Sequence, residues 1–448
     1  MTPTEVGLVR RDLCSELRLF DDCFARSEGR RHLLCYVGGQ LSALQRKCVE
    51  PMADEAGVPP RTLQDFLALH TWDHERAVDR LQQLVGEEHA DEQSIGLIDE
   101  TSFAKRGDKT VGVQRQYCGS RGKVDNCVVS VALGYASLDG EFRCTLDHRI
   151  FLPQSWDDDA DRRLEAGVPG ELRHRPKWKI ALEMLQRAHV NGVRLAWLTF
   201  DEGYGNNVQF LESLDRMGQT YVAEVSPSTH GWVTEPGVML KNHAASGRAR
   251  GGRPRRVPRL SVKSAKACRL DRLCSYSPVM RDQTWVDYHI KDGHKGPIVW
   301  RARAARFRLN VAHEPDGRRR NPESALPSAP RWLVVATHAL TGEVKYFVSN
   351  TPAGVPIERI LHVAFSRWHI ERCFEDEKSQ LGLDQFECRR HTAVQRHLIL
   401  TAISHLLLAR ARLRLTTPAQ EQASIGSPTS PGDLSGGDVS GLPSHKKS

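Results

Sequence analysis

Between residues 5 and 90 the apolar positions recur at three- and four-residue steps, the period of an amphipathic helix. Leu17, Leu19, Phe20 and Phe24 begin the pattern, and Leu33, Leu34, Val37, Leu41 and Leu44 continue it. Pro59-Pro60 breaks the chain. Thr62 opens a further run through Phe66, Leu67 and Leu69, and Asp73 is placed to cap the next, which carries Ala77, Val78, Leu81, Leu84 and Val85. This predicts a helical bundle that either packs on a neighbouring domain or reads DNA. From residue 94 the texture changes. Residues 94–98 form an apolar strand closed by Asp99-Glu100, and 128–136 and 142–152 give two more, joined by Gly-containing turns (Gly119, Gly122, Gly140) that permit a meander. A helix over 179–189, a buried strand over 193–200 ending in Asp201, a turn at Gly203-Tyr204-Gly205, a helix over 207–217 and a strand over 220–225 follow. That later alternation predicts parallel pairing, hence an α/β fold with a mixed sheet covered by helices.

Residues 226–330 break the rhythm. From 236 to 270 there are ten basic residues and no acidic one, and 247–258 reads GRARGGRPRRVP, too rich in Gly and Pro for a helix. Strands are predicted over 285–290, 298–307, 332–337 and 345–349, with Arg301, Arg303, Arg306 and Arg308 on or beside the second. Helices resume from Ile357, and after Thr417 the chain turns Ser-, Gly- and Pro-rich, which predicts a disordered tail. The expected organisation is a helical N-terminal domain (1–90), a core first part (91–225), a basic β-rich insertion (226–350), closing helices (351–415) and a tail (416–448).

Composition adds limits. The 448 residues carry 40% hydrophobic and 26% charged positions, ample for a buried core. Lys and Arg number 63 against 55 acidic residues, a net +8, so where the charge clusters matters more than its sum. The longest apolar stretch, 398–409, contains Ser404 and His405, which argues against a membrane span. The N-terminal stretch lacks the apolar run of a secretory signal, and the 11 cysteines form no CxxC pair. Reduced, mostly buried thiols in a cytoplasm are expected.

Asp99 and Asp201 each close an apolar strand, a position at the rim of an open sheet where ligands bind. On adjacent strands they would repel each other unless a divalent cation sat between them, which makes Mg²⁺ the natural occupant. Either Asp could equally serve as a loop cap. The helix FSRWHIERCFEDEKSQLGL puts Arg367, Glu371, Glu375 and Lys378 on one stripe beside an apolar one of Ile370, Phe374 and Leu381. Glu371 therefore sits at the edge of the buried face, although the same spacing also suits ion pairs on a solvated helix. Glu375 lies one turn on and is its competitor, whereas Glu377 lies roughly 240° round and is expected to be dispensable.

These residues resemble the DDE transposases of bacterial insertion sequences, in particular the IS-seven-hundred-one-like group of the superfamily that shares the YREK signature. That signature is Tyr, two residues, Arg, three residues, Glu, six residues, Lys. Arg367, Glu371 and Lys378 fit, while Ala364 occupies the Tyr position, with Phe365 the nearest aromatic. The run LIDETSFAKRGDKTVGVQRQYCGSRGKVDNCVVSVAL is family-like, and Asp201 followed by Tyr204-Gly205 resembles the second Asp motif. The stretch 166–185 is similar to the linker and helix that precede it. The likeness runs over residues 12–410.

The resemblance implies an RNase H-like catalytic domain interrupted by the β-rich insertion. It also implies Asp99, Asp201 and Glu371 as catalytic ligands of two Mg²⁺ ions, with Mn²⁺ as a substitute. Two such ions about 3.5–4 Å apart would activate water for strand cleavage and the freed 3′-hydroxyl for strand transfer. Arg367 and Lys378 would hold phosphate oxygens, and Arg253, Arg255 and Arg256 would neutralise phosphates from the insertion. Trp232, Trp285 and Trp300 would either stack on an unpaired base or fill the insertion's core. The implied partners are double-stranded DNA, as terminal inverted repeats and target, and a second copy in a homodimer on that DNA, with no membrane. Two rivals remain open: an RNase H-like nuclease without transposition, and a DNA-binding protein that has lost catalysis. No GxxxxGK[ST] supports a nucleotide-hydrolysing alternative.

Overall fold

A computed structural model of the chain describes residues 13–239, 258–261, 263–293, 296–311 and 325–425. After a helical stretch at 13–18 come α1 (Ser27–Leu41), α2 (Val49–Glu55), α3 (Pro60–Ala68) and α4 (His74–Glu88). Pro60 starts α3, where its missing N–H costs nothing, and the Asp73 carboxylate caps α4 by accepting from the Arg76 N–H at 2.9 Å.

Strands β1 (Ile95–Ala104), β2 (Gln114–Cys118), β3 (Lys123–Ala136) and β4 (Arg143–Ile150) follow, then α5 (Lys177–Val190) and β5 (Trp197–Phe200). A short helix α6 (Glu202–Gly205), α7 (Val208–Arg216) and β6 (Tyr221–Val225) complete this part. β1, β5 and β6 are parallel neighbours, and β3 runs antiparallel on the other side of β1. β4 pairs with one half of β3, and β2 pairs with the other half as an edge hairpin. The core order is therefore β4-β3-β1-β5-β6, the mixed sheet the alternation predicts, with β2 an addition that its polar sequence QRQYC does not announce.

The basic region does not stand apart from this sheet. Strands β7 (His230–Trp232), β8 (Cys268–Arg269), β9 (Val286–Gly293), β10 (Gly296–Val311), β11 (Leu326–Pro327), β12 (Arg331–His338) and β13 (Val344–Ser349) continue it. β13 pairs antiparallel with β6, β12 with β13, and β10 with β12. Among the described residues the result is one sheet of thirteen strands.

Three closing helices, α8 (Ile357–Phe365), α9 (Trp368–Leu381) and α10 (His391–Ile425), follow β13. α10 runs past the expected boundary at 415, and residues 426–448 lie outside the described part. One sheet face, including Ile95, Leu97, Ala132 and Ala136, packs on Ile360, Leu361, Ile370 and Phe374 of α8 and α9. The opposite face, with Ile98, Val131 and Phe200, shares a core with α5, α10 and the N-terminal helices. Those helices are bound to α10 by polar contacts as well as apolar ones. Tyr36 Oη lies 2.8 Å from His397 Nδ1, and Gln40 donates to Thr401 at 2.8 Å. The buried Arg396 guanidinium donates to the carbonyls of Phe66, Leu67, His70 and Trp72, filling the C-terminal end of α3. No helix among the described residues is long and apolar enough to cross a membrane.

Candidate active site

Asp99 lies within β1 rather than at its end. The strand runs on to Ala104 because β3 keeps pairing with it, Asp99 opposite Ala132 and Ala104 opposite Cys127. What stops is β5: its last register position on β1 is Phe200 opposite Ile98, so Asp99 and Asp201 follow side by side on neighbouring parallel strands. Alternation along β1 puts Asp99 on the face of Ile95 and Leu97, towards α9. Glu100 falls on the other face, where it pairs with Lys177 at the start of α5.

Asp201 caps α6, accepting from the Gly203 N–H at 3.0 Å and the Tyr204 N–H at 3.4 Å. α6 can press this closely on the sheet because position 205 is Gly: a Cβ there would lie 1.9 Å from the Glu224 carbonyl oxygen on β6. Tyr204 is buried close to Glu100, Asp99 and Asp201, and burial together with their charge holds its phenol well above the usual range.

α9 brings the third carboxylate. Ile370 packs over Gly134 of β3, whose missing side chain lets the helix approach: a Cβ would meet Ile370 Cδ1 at 2.7 Å. Arg367 stands at the N-cap of α9 and joins two of the expected ligands. It donates to Asp99 Oδ2 at 2.7 Å and lies 2.9 Å from Glu371 Oε1. Burial pushes the Asp99 carboxyl up to about 7; Arg367 opposes that shift and the nearby Asp201 charge adds to it. Glu371 is more than half exposed, and Glu375, turned to solvent, pairs with Arg372 instead. Lys378 is partly buried near Asp384 and Cys118, and burial holds its ammonium below the usual lysine range. Ala364, at the signature's Tyr position, is buried in α8, and the Phe365 ring lies tilted against Trp300 with centroids 4.6 Å apart.

The donor set suits a hard divalent cation in kind: three carboxylates, one of them desolvated and held close to a second. Glu371 is turned onto Arg367, however. Among the described residues no three Asp, Glu, His or Cys side chains are placed to hold a metal ion. For all three carboxylates to meet one cation, Glu371 has to leave the guanidinium.

Two expectations fare differently. Arg253, Arg255 and Arg256 lie outside the described residues. The β10 arginines are tied within the fold rather than presented together. Arg301 pairs with Asp287 at 3.1 Å, and Arg303 lies over the Trp285 ring and donates to the Cys274 carbonyl. Arg306 lies over Trp332, and Arg308 pairs with Glu235 at 2.6 Å. Strand alternation also sends the first two and the last two to opposite faces. Trp232 and Trp300 are buried, whereas Trp285 is partly exposed. A further surprise is Glu377, fully buried with its carboxylate 3.1 Å from His148 Nε2 and 3.6 Å from His405 Nδ1.

The family model described as DDE superfamily endonuclease matches residues 19–297. A protein of Microchaete diplosiphon, described as a probable transposase for insertion sequence element IS701, is 29% identical over 189 residues. That alignment covers 42% of this chain and 46% of the relative, so the chain spans about half of that relative's length.

Proposed function

The chain belongs to the DDE superfamily endonucleases, and from that premise we propose that it is an IS701-like transposase that cuts and joins DNA at the ends of an insertion sequence. The observation that carries the reading is the junction at Arg367, which draws Asp99 of β1 and Glu371 of α9 to one guanidinium beside Asp201. The core order β4-β3-β1-β5-β6, with two aspartates side by side on its central strands, supports an RNase H-like domain.

In this reading Asp99, Asp201 and Glu371 would hold Mg²⁺, or Mn²⁺ in its place. Two such ions activate the attacking hydroxyl and stabilise the departing 3′-oxygen. The chain's own residues do the rest. Asp99, costly to ionise while buried, gains from any cation brought beside it. Arg367, once released from Glu371, is placed to donate to the non-bridging oxygens of the scissile phosphate, as a planar guanidinium does well. Lys378, seven residues past Glu371 along α9 and roughly 10 Å from it, takes a neighbouring phosphate. No Ser, Tyr or Cys nucleophile is required. Double-stranded DNA is the substrate, as element ends and as target, and a homodimer would hold both ends.

Incubating the protein with Mg²⁺ and DNA carrying the element's own ends, then mapping nicks and joined products, tests the proposal. Nicks at the ends followed by strand transfer are expected. Cleavage that ignores the ends would favour a nuclease without transposition, and binding with no cleavage would favour a protein that has lost catalysis.

A further inference from the structure

The hairpin of β2 and β3 is the part of the family-like run that the carboxylate site does not use. One of its faces is anchored. Cys118 and Cys127 are fully buried with Val129 in a small cluster of their own, Gln116 donates to the Cys127 carbonyl at 3.0 Å, and the Ser120 N–H donates to Ser102 of β1 at 3.3 Å. The other face is bare. Tyr117 and Val124 sit directly opposite each other and are 66% and 56% exposed, with Arg115 exposed beside them on the same face. Arg121 and Lys123 are exposed at the tip.

An exposed aromatic on an edge strand needs a reason, since natural edges are usually blunted. The charge around it points to one. From Lys105 to Asn126 the chain carries six basic residues against two acidic ones; Lys105 lies over Phe386 and Lys109 pairs with Glu165, while Arg121 holds only a surface pair with Asp125 at 3.0 Å beside Arg115 and Lys123. Among the described residues neither the Arg115 nor the Tyr117 side chain has a hydrogen bond or ion pair. The hairpin is also continuous with the active site. The Ser120–Ser102 bond ties its tip to β1 three residues beyond Asp99, roughly 10 Å along that strand at ~3.3 Å per residue. Lys378 of α9 lies close to Cys118 on the hairpin.

We propose that this hairpin is a duplex-DNA contact surface, with Arg115, Arg121 and Lys123 on phosphates and Tyr117 against the sugar–base edge. The anchor on β1 places that contact on the duplex flanking the cut phosphate. The inference rests on the transposase reading and adds a place where the DNA beyond the cut is held. Rigid anchoring of the inner face makes the surface preformed, so little ordering opposes binding.

The test measures the full chain on a fluorescein-labelled duplex of mixed sequence, about 40 base pairs long, across ~50–200 mM salt. The triple variant Arg115→Gln, Arg121→Gln, Lys123→Gln should lower the slope of log K against log salt by about 0.9 per lost phosphate contact. Tyr117→Ala should weaken binding about fivefold or more with an unchanged melting temperature. A photoreactive phenylalanine analogue at position 117 should crosslink to the duplex. Wild-type slope and affinity in both variants, with no crosslink, would overturn the hairpin surface and leave the transposase reading standing. A change in oligomeric state without any change in DNA affinity would likewise overturn it and make the edge a protein contact. Failure of the wild-type chain to bind duplex at all would remove both.

Discussion

Arg367 Nη1 donates to Asp99 Oδ2 at 2.7 Å, and that bond joins the first turn of α9 to the middle strand of the sheet. It is a contact between residues 268 positions apart, made where Asp99 is least comfortable as an anion. The guanidinium partly offsets the cost of burying that charge without removing it, which is why the Asp99 carboxyl still stands at about 7. The site is thus set up to favour any added positive charge.

Asp99→Asn should therefore stabilise the metal-free protein while abolishing cleavage. A carboxyl whose folded pKa is raised above its unfolded value penalises the fold once it ionises, so wild-type stability falls as pH rises from about 4 to about 7. The variant lacks that loss. Thermal melts without metal should show the Asp99→Asn variant melting higher than wild type at pH 8, by an amount on the order of a few kcal/mol, and equal at pH 4. A lower melting temperature at pH 8 would mean that the Arg367 bond outweighs the burial cost.

Gly205→Ala tests how Asp201 is positioned. The added Cβ would fall 1.9 Å from the Glu224 carbonyl, so α6 must lift, and overpacking of this kind costs about 1–3 kcal/mol. Because Asp201 caps α6, the carboxylate should move with it. Nicking activity should drop more than stability does, measured by product mapping alongside thermal melts; full activity would show that the cap does not place Asp201.

Arg396→Met asks whether the N-terminal helices are a separate unit. The carbonyls of Leu67, His70 and Trp72 lose this donor while Phe66 keeps the Trp72 indole N–H, and each unmet buried group costs about 1–3 kcal/mol. Faster amide exchange throughout α3 and α4, together with a lower global melting temperature, is expected. If only α3 loosened, with the melt unchanged, the helical layer would be an independent domain.

The two aspartates are legible in the sequence because each closes an apolar run, and a register of neighbouring parallel strands follows from the alternation of elements. The length of β1 is not legible: Glu100-Thr101-Ser102 ends the apolar pattern, yet the Val-rich β3 continues to pair there. Nor is the attachment of the basic region to β6, since its pairing with β13 joins segments more than a hundred residues apart. The partners of the β10 arginines, Asp287, Trp285, Trp332 and Glu235, are not legible either, because each lies on another segment of the chain. Glu377 looks like a surface residue because nothing near it in the chain reveals His148 and His405.

The carboxylates of α9 provide the sharpest test, because sequence spacing and structure disagree about one of them. Glu371 is more than half exposed and pairs with Arg367, so Glu371→Gln should stay within about 1 kcal/mol of wild-type stability and lose Mg²⁺-dependent nicking. Glu375 pairs with Arg372 at the surface, and Glu375→Gln should be active and stable. Glu377 reads as dispensable from its position on the helix, but it is buried between β4 and α10. Glu377→Gln should cost on the order of 3 kcal/mol, the scale for breaking a buried pair. Burial pushes the Glu377 carboxyl up, and His148 and His405 pull it below the usual carboxylate range on balance. Its stabilisation is accordingly present above about pH 4.5 and lost as pH falls through the folded value. The gap in stability between wild type and Glu377→Gln should therefore narrow on acidification, while nicking at low temperature persists. A stable, inactive Glu377→Gln beside an active Glu371→Gln would move the third ligand to Glu377 and undo the role given to Arg367.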